Sequence, residues 1–433
     1  MFPGSLMMGA KDRLLPLSVP YRFFATAVVF HIAAWLVLAL AGPDLSMGFR
    51  GGQGWVLAGL HLVTLGTLAM TAMGAGIQLL PVSTRRQLGP VWACRLVYWL
   101  FAPGVALFAV GLGLPMAGLQ HAGATLSIAG MAVFGGLVAG NLRKVDDLPG
   151  VTRHAWMAVA SLVLLAGLGL LLVIDFTSGI LPDHGAIAAA HAVLAGYGFM
   201  GMLALGFATV LIPMFILGPA VADAPIRRSA LFSGLGLAAG TLGAAFALPL
   251  VAAAGIALGL VGLGLYLRAM QPCMKNRMKK RLEPFFRLVW VALVLLPLGL
   301  LVALALTLGA PADPWGTLWG FLLVFGWLLS FVTALLQRIM PFLASMHSSS
   351  LGGKPALLSH LAPKLPVDIH LACHSAALVL IGLGIVGGWA WPVRLGLYAG
   401  LAGSIAFGVF AYLVFRRYRS HMKAAAAAAN QGD

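Results

Sequence analysis

Two histidines stand in apolar surroundings that echo each other. His61 opens HLVTLGTLAMTAMGAGIQLLP and His191 opens HAVLAGYGFMGMLALGFATVLIPMF. Gly66, Met70 and Gly76 follow the first at the same offsets at which Gly196, Met200 and Gly206 follow the second, and a proline closes each run. An imidazole inside an apolar span is costly without a partner, and neutral imidazole is a preferred ligand of haem iron and of copper. His61 and His191 are therefore the candidate cofactor-binding and metal-ligating residues. The plainer alternative is a pair of polar side chains hydrogen-bonded across helix interfaces, worth about 1 kcal/mol each.

Other donors are weaker candidates. His370, Cys373 and His374 in IHLACH occupy positions i, i+3 and i+4 of one helix face, so His370 and His374 form a second candidate metal pair. His31, halfway through the first span, is expected to be hydrogen-bonded within the packing. Met70, Met73, Met200 and Met202 carry thioethers that can ligate haem iron or cuprous copper, but methionine is more often a gap-filler. His121, His154, His184, His347, His360 and His421 fall in loops or at helix ends, where solvated histidine is ordinary.

The elements that must position these residues are membrane helices. Of 433 residues, 61% are hydrophobic and 9% charged, and apolar stretches of about 20 residues recur from end to end. Twelve spans are expected, near 21–42, 54–80, 91–116, 122–141, 155–174, 186–217, 229–248, 251–270, 288–309, 315–341, 368–390 and 393–415. With the N-terminus in the cytoplasm, every Lys and Arg except Arg50 and Arg394 falls on the cytoplasmic side, as the retention of basic residues in short inner loops demands. The net charge of +16 is then a topology signal and requires no nucleic-acid partner. The N-terminal segment reads as an uncleaved anchor. Cys94, Cys273 and Cys373 have no paired spacing and outline no disulfide framework. No Asp or Glu lies in the middle of a span, which disfavours a pump or an ion-coupled carrier built on intramembrane carboxylates.

The repeated histidine context extends to a third copy. Setting the MPFL of the tenth span against the IPMF of the sixth places Trp319 where the imidazole would be. Three units of four helices, at about 15–150, 151–283 and 284–417, then make up a single membrane domain within residues 1–433, with 418–433 a flexible cytoplasmic tail.

Twelve helices in three pseudo-repeated units, both termini inside and histidines near the outer ends of spans two and six resemble subunit I of the haem-copper oxidases. RFFATAVVFHIAAWLVLALAG, HLVTLGTLAMTAMGAGIQLLPV and QRIMPFLASMH look like its divergent members, including the NnrS-like haem and copper membrane proteins. The resemblance implies an all-α, cytochrome c oxidase subunit I-like fold in the bacterial inner membrane. It also implies haem, with copper as the alternative, at His61 and His191, and a redox, nitric-oxide-related or metal-handling role with a redox partner protein beside the lipid bilayer. The oxidases also use histidines on spans seven and ten; here RRSALFSG and WGTLWGFLLVFGWLLSF hold none, and Ala195 stands where the oxidase tyrosine follows its span-six histidine. A complete oxygen-reduction centre is not encoded. The alternative from a different class is a non-catalytic member of the same fold, acting as a permease-like or assembly partner.

Overall fold

Inside hydrocarbon every backbone N–H and C=O must find its partner within the chain, so apolar spans of this length fold as helices. The structure, a computed structural model, describes residues 15–145, 148–348 and 355–429, and all regular structure among the described residues is helical. Twelve long helices follow one another: α1 (Ser18–Ala41), α2 (Trp55–Thr84), α3 (Val91–Gly113), α4 (Ala117–Leu142), α5 (Pro149–Ser178), α6 (His184–Ile216), α7 (Asp223–Ala245), α8 (Pro249–Lys275), α9 (Phe286–Thr307), α10 (Ala312–His347), α11 (Lys364–Gly387) and α12 (Ala390–Ala429). Eleven of them are long and apolar enough to cross a membrane, and the protein is a polytopic helical membrane protein.

The exception, α7, trades leucine for Gly, Ser and Thr, and its packing explains why. A Cβ on Gly243 would lie 2.3 Å from the Ala252 amide nitrogen, and one on Gly255 would lie 2.3 Å from that of Gly240. Ser229 Oγ–H also donates to Gly262 O at 2.8 Å. Small residues let the α7 and α8 backbones touch, which is how membrane helices pair where lipid gives no hydrophobic drive. The same device closes α3 on α4, where a Cβ on Gly123 would meet the Phe108 nitrogen at 2.3 Å, and α11 on α12, where one on Gly384 would meet Val393 N at 3.1 Å.

The centre of the bundle is held by α2, α6 and α10, whose most apolar stretches have a larger share of buried residues than those of any other candidate span among the described residues. Each changes winding once, into an i→i+5 π-helix at Leu62–Ala69, Leu194–Gly201 and Leu322–Leu329. Each also carries an internal proline, Pro81, Pro213 or Pro341. These prolines do not close their helices as the sequence suggests; the helices run on to Thr84, Ile216 and His347. A proline forfeits one N–H bond, and neighbouring groups in a packed bundle re-satisfy the freed carbonyl. Tyr21 ties α1 to α10 by donating to Met340 O at 2.6 Å, and Tyr266 ties α8 to α6 by donating to Leu205 O at 2.9 Å.

At the C-terminus α12 continues to Ala429 through the segment expected to be a flexible tail from residue 418. The alanine run there is the strongest helix former available and simply prolongs the preceding span.

Candidate cofactor cavity

A cavity of about 860 Å³ opens among all the long helices except α7 and α8. Its walls are mostly Leu, Val, Ala, Phe and Met, and His61, His191 and Trp319 all line it. The structure thus brings together the residues that the repeated sequence context singled out.

His61 stands at the last residue before the π segment of α2. Its Nδ1–H donates to Leu57 O one turn back, at 2.9 Å, and its ring meets Phe108 of α3 edge to face at 5.2 Å. His191 is anchored across a helix boundary, its Nδ1–H donating to Leu165 O of α5 at 3.0 Å. The ring fits because position 169 is glycine: a Cβ there would come to 3.0 Å from His191 Cε1. Both rings are half-buried, the exposed part facing the cavity.

These two anchors fix the chemistry. A ring nitrogen that faces a carbonyl must carry the proton, so Nε2 of each ring keeps its lone pair. Neither Nε2 has a hydrogen-bond partner among the described residues. A lone pair aimed into an apolar space accepts a Lewis acid or a hydrogen-bond donor; it repels carbonyl oxygens and anions. An imidazole whose other nitrogen donates to a carbonyl is also the usual arrangement of a metal-bound histidine.

The mouth of the cavity is polar. Arg50 donates to Thr317 Oγ1 at 2.8 Å and pairs with Asp313 at 2.6 Å, while His184 Nδ1 faces Asp175 Oδ2 at 2.7 Å. His61, His184, His191 and Arg50 are the only ionisable groups among the described lining residues. Neither Arg50 nor His184 was a site candidate from sequence; the one signal for Arg50 was its isolation on the outer side. Because the Arg50 and Asp313 side chains are 40% and 75% exposed, Arg50→Ala is expected to lower stability by no more than about 1 kcal/mol. Thermal unfolding in detergent measures this.

Other sequence candidates lie elsewhere. Met70 and Met73 are fully buried away from the cavity, whereas Met200 lines it. His370 and His374 are buried side by side, ring centres 5.5 Å apart, and do not line the cavity. Their neighbour is His31, 6.3 Å from His370 between ring centres. His31 departs from expectation: it is 1% exposed, and neither of its nitrogens has a hydrogen-bond partner. An unmet buried polar group costs about 1–3 kcal/mol. Cys373 is half-buried and sits against Gly403 of α12. His154, expected to be solvated, is fully buried with Nδ1–H donating to Gly150 O at 2.8 Å. The reason is Gly206 of α6, whose missing side chain admits it: a Cβ there would lie 2.8 Å from His154 Cβ.

Among the described residues no group of three or more His, Cys, Asp or Glu side chains is placed to hold a metal ion. The fold and cavity define a multi-pass helical membrane protein with a large internal apolar chamber and two inward-facing imidazoles. No family model and no curated protein matches the chain.

Proposed function

We propose that the chain is a haem-binding protein of the bacterial inner membrane, with His61 and His191 as the residues that hold the iron and a redox or nitric-oxide-related role. The observation that carries this reading is the pair of carbonyl-anchored imidazoles whose free Nε2 atoms share one apolar cavity. Haem is favoured over bare copper by donor count. A zinc or cupric copper site takes three or four side-chain ligands, whereas the macrocycle supplies four nitrogens and leaves one or two positions for histidine. The cavity volume of about 860 Å³ lies in the range of a closely fitted organic ligand, about 300–1,000 Å³. When bound, haem supplies one-electron chemistry or reversible binding of a small gas. The chain's part is to orient two ring nitrogens and exclude water, with Arg50 as the cation at the mouth.

The oxidase-like arrangement in three four-helix units is part of the same reading. Its support is recurrence every fourth helix: a π segment and an internal proline in α2, α6 and α10, and a glycine-packed hairpin in α3–α4, α7–α8 and α11–α12. Register by π segment refines the histidine match. His61 directly precedes its π segment, whereas His191 and Trp319 both stand at the third residue before theirs. The imidazoles therefore approach the cavity from non-equivalent positions. With both termini in the cytoplasm, as the basic residues argue, the cavity lies toward the outer face and its electron partner docks there.

The test is an absorption spectrum with metal analysis of protein purified from haem-replete cells. The expected result is a Soret band and bound iron. Absence of both from folded protein defeats the proposal, and copper without a Soret band replaces haem by copper.

A further inference from the structure

At the end of its apolar span α12 changes character within one turn. Ile405, Val409 and Leu413 follow one another four residues apart and so share one helix face. Ile405 and Val409 are 48% and 45% exposed. Arg416, Arg417 and His421 continue that face over the next two turns and line a pocket of about 560 Å³. The opposite wall is segment 355–361, which contributes His360. That wall is fixed at both ends. Ser345 Oγ–H donates to Ala356 O and the Ala356 N–H donates to Ser348 Oγ, each at 2.7 Å, which ties the segment to the end of α10. Near its other end the Arg417 guanidinium donates to His360 O at 3.0 Å.

From this pocket we propose a binding site for one anionic phospholipid, its phosphate held by Arg416 and Arg417 and an acyl chain laid along Leu413, Val409 and Ile405. The charge is one-sided. No carboxylate is among the described lining residues, and neither guanidinium has an acidic partner among the described residues. An arginine presents five N–H donors in a planar fork that matches phosphate oxygens, and the bond to His360 O leaves most of those of Arg417 free. The side chains of His360 and His421 add ring N–H donors to the same wall. Arg419, in the same basic run, lies over the Phe415 ring at 5.7 Å and does not line the pocket, so the run is sorted by helix face and not by charge alone. An apolar strip that runs directly into guanidinium groups repeats the order of a lipid leaflet, acyl chain and then phosphate. A soluble phosphate ester would use the cations and leave the strip bare. With both termini in the cytoplasm, as the basic residues argue, the lipid belongs to the inner leaflet, where basic pockets between helices meet anionic headgroups.

This site shares no residue with the histidine cavity, so it stands or falls independently of the haem reading. The experiment uses the full chain, stripped of lipid by detergent exchange and titrated with phosphatidylglycerol or with phosphatidylcholine of the same acyl chains. Native mass spectrometry counts the lipid that stays bound. One phosphatidylglycerol per chain is expected, held at least about tenfold more tightly than phosphatidylcholine. Arg416→Gln with Arg417→Gln should weaken it by about tenfold or more. Arg227→Gln with Arg228→Gln removes the same charge from the start of α7, also on the cytoplasmic side, and should leave the affinity unchanged. All four arginines are exposed, so both double variants are expected to fold, and elution as a single species checks this. Inorganic phosphate should fail to displace the bound lipid. Equal weakening by the two double variants overturns the proposal, because charge alone would then draw the lipid. So does equal affinity for phosphatidylcholine, or release of the lipid by inorganic phosphate, which would make the pocket a site for soluble anions.

Discussion

Replacing His61 and His191 together by alanine is expected to abolish the Soret band of the purified protein while leaving its helical content and elution unchanged. Each imidazole is held by a single backbone carbonyl, Leu57 O or Leu165 O, and makes no other hydrogen bond among the described residues. The fold therefore has little to lose at these positions. Each single replacement should lower haem retention by at least about tenfold. Free imidazole added to His61→Ala should restore the band, because the truncated side chain leaves room beside Phe108. His61→Met should keep a band and raise the reduction potential, as a thioether axial ligand does. If the double variant retains the wild-type spectrum, these histidines are not the ligands.

Gly255→Val is expected to be the most damaging single change outside the cavity. Its Cβ would meet Gly240 N at 2.3 Å, with Gly236 O and Gly240 Cα at 2.8 Å. All three contacts are backbone, so no rotamer change relieves them and α7 must move away as a body. Overpacking of this kind costs about 1–3 kcal/mol, and more where the backbone cannot yield. Gly264→Val on the same helix is the control, since a Cβ at Gly264 has no atom within 4 Å. Circular dichroism followed through thermal unfolding should show a clear loss for the first and none for the second. Equal behaviour of the two variants would mean that α7 and α8 do not pack through this seam.

What the sequence made legible follows physical range. Helices and their approximate bounds come from local hydropathy, which the bilayer enforces, and the convergence of His61 and His191 came from a repeated local context. Three findings depend on contacts between distant segments. His31 finds His370 only after α1 packs on α11 and α12. His154 is buried because Gly206, far along the chain, leaves a gap for it. The low apolarity of α7 is the signature of close pairing with α8, which lies outside any single helix's own composition. The π segments were equally invisible, since winding depends on how neighbouring side chains wedge the backbone and not on composition alone.

The carbonyl anchors of His61 and His191 have one more effect. With both Nδ1 protons committed to backbone oxygens and no carboxyl, thiol, phenol or ammonium group among the described lining residues, the inner chamber has bases but no acid. With haem bound as proposed, a ligand there would exchange electrons yet find no proton source in the wall. Reactions that consume protons must bring them from the mouth or with the substrate. A chamber of this design suits electron relay and gas binding, and it stalls reductions that end in water.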